Sequence, residues 1–192
     1  PPRAEVENTN NFVSLGEIAR HCDIITFHTP LTTSGKHPTH HICSESFINN
    51  LSHQAIIVNC ARGGIFDTKA VIKALDTGKI SNVIVDCWEG EPNINPILLE
   101  KATIATPHIA GYSREGKIRA TAMALDALAR HFNLSIPNVA QGIPMGAAQN
   151  VTFNSIINTY NPLIDTRALK SYPDNFEALR NNYNYRPEVT EI

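Results

Sequence analysis

Between Cys22 and Leu134, short β-branched runs alternate with stretches whose apolar residues recur at helical spacing. That alternation predicts a parallel sheet with helices on its faces. Strands are expected at 23–28, 55–60, 82–87 and 103–106. Their unbroken apolar character, as in Ala55-Ile56-Ile57-Val58, predicts burial on both sides. Helices are expected over 14–21, 44–51, 67–77 and about 95–101, with a long one over 113–132. Asp67 stands where an N-cap belongs and Gly78 where a helix is closed by glycine. After Leu134 the periodicity fades. Residues 135–150, rich in Pro, Gly, Ala, Asn and Gln, predict a linker, and 151–192 carries two modest apolar stretches before Asn181-Asn182-Tyr183-Asn184-Tyr185.

Composition narrows the class. The chain has 192 residues, 16 Lys+Arg against 18 Asp+Glu, and a net charge of −2, which argues against a nucleic-acid partner. No apolar run approaches the roughly 20 residues of a membrane span, so no membrane association is expected. The four cysteines are scattered singly, which predicts reduced, mostly buried thiols and a cytoplasmic location. The chain opens on Pro1-Pro2-Arg3-Ala4 without an initiator methionine, and is therefore expected to be an internal piece of a longer protein.

In an open parallel sheet, ligands gather beyond the carboxyl ends of the strands. Three reactive residues follow successive strands there: Arg62 in Ala61-Arg62-Gly63-Gly64, Glu91 in Trp88-Glu89-Gly90-Glu91-Pro92, and His108 in Pro107-His108-Ile109-Ala110-Gly111. A histidine can give and take a proton near neutral pH, a carboxylate can fix its tautomer, and an arginine can grip a carboxylate or carbonyl oxygen. Each has a plainer reading: Arg62 as a surface helix start, Glu91 as a loop carboxylate, His108 as a core histidine. Glu89 competes with Glu91, and spacing does not separate them. Asp86 is equally a loop cap or a cofactor contact. His37-Pro38-Thr39-His40-His41 with Cys43 invites a metal reading. No second ligand cluster is evident in the sequence beyond Cys22 or His21, so a polar surface loop and no metal are expected.

The segments Thr26-Phe27-His28-Thr29-Pro30-Leu31, Asn59-Cys60-Ala61-Arg62-Gly63, Asp86 through Pro92, and Thr106 through Tyr112 together resemble the D-isomer-specific 2-hydroxyacid dehydrogenases. The Trp-Glu-Gly-Glu-Pro run, the Ile-Ala-Gly-Tyr run ahead of Glu115-Gly116-Lys117, and the long tail resemble a branch that acts on a phosphorylated substrate. The resemblance implies an α/β fold, the second half of a Rossmann-like doubly wound parallel sheet followed by a long helix and a small C-terminal region. It implies an NAD-domain portion at 1–108, a crossing helix at 109–134 and a partial dimerisation region at 135–192. It also implies catalysis by Arg62, Glu91 and His108, which favours Glu91 over Glu89. NAD contacts would come from Thr29, Cys60, Ala61, Arg62, Asp86 and Gly111, a substrate contact from Tyr112, and the full-length protein would be a homodimer. Relatives for other D-2-hydroxy acids, and a non-catalytic NAD-sensing module, share this scaffold. The Gly-x-Gly-x-x-Gly turn and the acidic ribose reader of such folds are absent from this sequence, so the chain alone is expected to be inactive.

Overall fold

The computed structural model describes residues 2–7, 11–137 and 151–188. Nine helices lie among them: α1 (Pro2–Glu7), α2 (Leu15–His21), α3 (Glu45–Asn49), α4 (Thr68–Asp76), α5 (Pro96–Lys101), α6 (Arg114–Phe132), α7 (Phe153–Thr159), α8 (Pro162–Ser171) and α9 (Phe176–Asn181). The strands are β1 (Ile24–Phe27), β2 (Ala55–Asn59), β3 (Ile80–Val85) and β4 (Ile104–Ala105). Of the predicted linker at 135–150, only 135–137 are described; the remainder lies outside the described residues. The chain divides into two compact units, Pro1–His108 with Pro162–Asn181, and Ile109–Asn161 with Asn182–Ile192.

The first unit is built on a four-stranded sheet in the order β1-β2-β3-β4, with every neighbouring pair parallel. All four strands therefore deliver the chain to the same edge, and the loops after β2, β3 and β4 meet there. Ile25, Phe27, Ile57, Val83, Val85 and Ala105 form the middle of the core. Phe66 and Phe47 stand edge-on to Phe27 at 6.0 and 5.9 Å, the geometry aromatic rings prefer.

The helices begin where their capping residues dictate. Ser14 closes a capping box with Glu17 ahead of α2, and the Asp67 carboxylate accepts from the Lys69 and Ala70 N–H groups at 3.1 Å. Asn95 does the same for Ile97 and Leu98, so each orphan first turn is satisfied. Gly78, past the end of α4, takes the left-handed φ of +69°. Predicted and observed element boundaries agree within a few residues.

The surprise is α8. Reading 135–192 as a C-terminal region apart from the sheet did not anticipate that Pro162–Ser171 packs on β4. Thr166 explains why it holds there: its hydroxyl accepts from the buried Ala105 N–H at 3.0 Å while donating to Pro162 O at 2.8 Å. Leu169 and Phe176 are fully enclosed in the same core. A terminal strand with a buried, unpaired N–H is thereby satisfied.

In the second unit, α6 starts at Ser113, whose hydroxyl caps Gly116 N–H at 3.1 Å and donates to Glu188 at 2.7 Å. Glu188 also pairs with Arg119. The Arg186 guanidinium donates to the carbonyls of Ile109, Ala110 and Tyr112. Tyr112 carries the Lys117 ammonium 3.6 Å above its ring. Ala122 is the buried residue of α6, whereas Met123, Leu128 and Phe132 are exposed.

Replacing Thr166 by the isosteric Val strands the Ala105 N–H. Urea unfolding is expected to show a loss of about 1–3 kcal/mol, the cost of a buried donor without a partner.

Candidate active site

Residue 62 follows β2, residue 91 the loop after β3, and residue 108 the end of β4. One buried amide ties the first two loops together. Asn59, at 0 % exposure, donates from Nδ2 to Arg62 O at 2.9 Å and to Cys87 O at 3.0 Å, while its Oδ1 accepts from Ala61 N–H at 3.1 Å. Gly63 then passes so close to the next loop that an added Cβ would stand 1.9 Å from Trp88 O. Only glycine permits that approach. The Trp88 indole donates to Thr106 O at 2.9 Å, carrying the connection on to the β4 loop.

Within this frame Glu91 and His108 meet. His108 Nδ1 lies 2.9 Å from Glu91 Oε2, and the other oxygen of Glu91 accepts from Trp88 N–H at 2.6 Å. Both groups are partly shielded, with 26 % and 19 % of their side chains exposed. A carboxylate on Nδ1 assigns the proton to that nitrogen and leaves Nε2 as the atom that can accept another. The His108 main chain is held in the left-handed region at φ +57° by its N–H bond to Asp86 O at 2.9 Å. A non-glycine residue rarely rests there without surrounding structure to enforce it.

Arg62 is exposed. Its Nη1 donates to Ala61 O at 2.7 Å, and its other N–H groups make no hydrogen bond to the described residues. Its charge is felt at Cys87, where it partly offsets burial and the nearby Asp86 and Glu91 carboxylates, which together drive that thiol strongly upward. Cys60 is pushed up to about 11 by burial and by Asp86, so neither sulfur is a thiolate at neutral pH. All four cysteines are unpaired; Cys43 and Cys87 are buried, Cys22 and Cys60 half-buried, so burial is less general than expected.

Among the residues assigned to NAD by resemblance, Thr29 bears a buried hydroxyl with no hydrogen-bond partner among the described residues. An orphaned polar atom of this kind suits a polar ligand. Asp86 accepts from the Thr106 hydroxyl at 2.6 Å, an internal bond of the loop-capping sort. The Ala61 N–H is taken by Asn59. Gly111 and Tyr112 lie in the second compact unit.

Glu89, the rival of Glu91, is engaged elsewhere. Its Oε1 lies 2.7 Å from His41 Nε2 and its Oε2 accepts from Thr68 N–H at 3.3 Å. The bonding roles of Asn59 and Trp88 escaped the sequence reading, which placed His41 in a polar surface loop. A lone amide closing the apolar run Ala55-Ile56-Ile57-Val58 was the available signal for Asn59; nothing local marked Trp88 or the pairing of His41 with Glu89.

The sequence profile of the D-isomer specific 2-hydroxyacid dehydrogenase NAD binding domain matches residues 1–110, and the chain belongs to that family. It is 44 % identical over 191 residues to the erythronate-4-phosphate dehydrogenase of Bacteroides thetaiotaomicron, covering 97 % of this chain and 55 % of that relative. Identity to the Escherichia coli O81 enzyme of the same name is 36 % over 206 residues, covering 100 % and 54 %. The chain thus spans about half the length of the curated relatives it matches. Among solved structures, a glyoxylate reductase from Paecilomyes thermophila matches with a TM-score of 0.58 and 30 % identity over 73 % of this chain and 42 % of that one. A D-lactate dehydrogenase from Aquifex aeolicus, complexed with NAD and lactic acid, matches with a TM-score of 0.55 and 28 % identity over 63 % and 40 %.

Burial opposes the charge on Glu89, yet its bonds to Thr68 and His41 outweigh that and hold the carboxyl below its ordinary value of 4.5. Such a group stabilises the fold while ionised; the contribution is complete above 4.5 and disappears as pH falls through the lower folded value. Glu89→Gln is expected to lower the unfolding midpoint at pH 7, with the gap from the parent closing on acidification below 4.5. A gap that persists unchanged into acid contradicts this account.

Proposed function

We propose that this chain is the part of an erythronate-4-phosphate dehydrogenase that carries its acid–base pair and much of its NAD site. The observation behind the reading is the Glu91–His108 contact at the carboxyl edge of the sheet. His108 Nε2 accepts the proton of the substrate C2 hydroxyl. Glu91 fixes the ring's tautomer and steadies the imidazolium that results. Arg62 donates from its planar fork to the substrate carboxylate and to the C2 oxygen as it becomes a carbonyl. NAD, when bound, supplies the acceptor for the C2 hydride. By the family resemblance Thr29, Cys60, Ala61, Arg62, Asp86 and Gly111 would hold it, and the buried Thr29 hydroxyl, without a partner among the described residues, is the feature that fits such a polar ligand. Tyr112 contacts the substrate.

The substrate is 4-phospho-D-erythronate and the product its 2-oxo acid phosphate, on the route to pyridoxal 5'-phosphate. The complete protein works in the cytoplasm as a homodimer. Dehydrogenases for D-lactate or phosphoglycerate would share the three residues. Against them stands the degree of the similarity: the chain is 44 % identical to an erythronate-4-phosphate dehydrogenase and 28 % identical to the D-lactate dehydrogenase.

In the complete protein, following the NADH absorbance with 4-phospho-D-erythronate and NAD is expected to show turnover that exceeds turnover on D-lactate or 3-phosphoglycerate. His108→Ala is expected to lower it by about 10²–10⁴-fold, the contribution of a positioned acid or base. Activity near that of the parent would remove His108 from the reaction, and no NADH formation at all would favour a sensing module. The 192-residue chain alone is expected to give no turnover and no micromolar NADH binding by fluorescence titration.

A further inference from the structure

Two groups of side chains among the described residues bring potential metal ligands together. One is the Cys87, Glu91 and His108 group of the candidate active site. The other is His40, His41 and Glu89, whose ligand atoms lie within 4.8 Å of one another. We propose that this second group binds a divalent cation of the zinc type.

The sequence offered one half of such a site, the paired histidines before α3; the fold supplies the other half from a loop 48 residues away. His41 Nε2 and Glu89 Oε1 are 2.7 Å apart, and the His40 ring stacks on His41 with centroids 3.9 Å apart and 25° between planes. Donors that share one zinc ion at its usual bond lengths lie roughly 3.3 Å apart in a tetrahedral arrangement. The observed separations, from 2.7 Å to at most 4.8 Å, bracket that value. Binding opens the His40–His41 stack so that the in-plane lone pairs of the two rings converge, and the ion takes the place of the hydrogen between Nε2 and Oε1.

The supports are already in position. Thr68 N–H holds the second oxygen of Glu89, the kind of outer bond that orients a ligating carboxylate. The His41 main chain is pinned at φ +52° with its N–H donating to Gly64 O at 2.7 Å. The His40 ring lies against Gly64, where an added Cβ would sit 3.3 Å from it, and its nitrogens make no hydrogen bond to the described residues. Two imidazoles and one carboxylate suit zinc and its transition-metal neighbours, whereas magnesium and calcium require oxygen-rich cages. His40 is exposed, so water can occupy the remaining position. The ion would clamp the turn before α3 to the loop that carries Glu91.

The test is a titration of the complete protein, stripped with a chelator, using Zn²⁺ by calorimetry and Co²⁺ by its visible absorption. One ion per chain and a tetrahedral cobalt spectrum are expected. His40→Ala removes an exposed ligand, and His41→Asn keeps a residue that tolerates left-handed backbone. Each is expected to weaken binding at least about 10–100-fold, the range found for outer-shell partners alone, while His108→Asn leaves it intact. Unchanged affinity in His40→Ala, absence of micromolar binding in the parent, or a loss confined to His108→Asn would each overturn the proposal. The last would put the ion on the acid–base pair instead.

Discussion

A single carboxamide organises the working edge of this molecule. Asn59 ends β2 inside the core, where an amide is costly unless its hydrogen bonds are made. It makes them to the main chain of its own loop and of the next. Arg62 and Cys87 are thus fixed relative to each other by the same side chain. From Cys87 the order passes through Trp88 to the Glu91 carboxylate and through the indole to Thr106. The imidazole of His108 arrives last, against a carboxylate whose orientation is already set.

Parallel strands make this economy natural. Because all four strands run the same way, three loops arrive at one edge without long insertions. The polar groups freed at the strand ends must find partners nearby. Asn59, Thr106 and the Trp88 indole satisfy them internally. The Glu91–His108 pair occupies what is left, partly open to solvent. Preorganisation of this kind allows a histidine to work without first rearranging its neighbours.

Much of this was legible in the residues. Periodicity located β1 to β4 and α2 to α6 because burial on both faces of the sheet demands continuous apolar runs, and because capping residues such as Asp67 and Gly78 punctuate them. That residues 62, 91 and 108 follow successive strands to one edge was legible because parallel strands deliver their loops there. Partnerships across the sheet were not. The choice of Glu89 by His41, the closeness of Gly63 to Trp88, and the docking of α8 on β4 each join residues far apart in sequence. Local spacing carries no information about them.

The seal that Thr166 places on β4 has a temporal side. The hydroxyl is 61 residues downstream of the amide it satisfies, so on a translating ribosome the sheet is made well before its cover. At roughly 5–20 residues per second, that interval is on the order of 3–12 s. For those seconds the nascent domain presents an open margin of strand to any neighbour able to pair with it. The closing helix acts as a late stitch that ends the exposure.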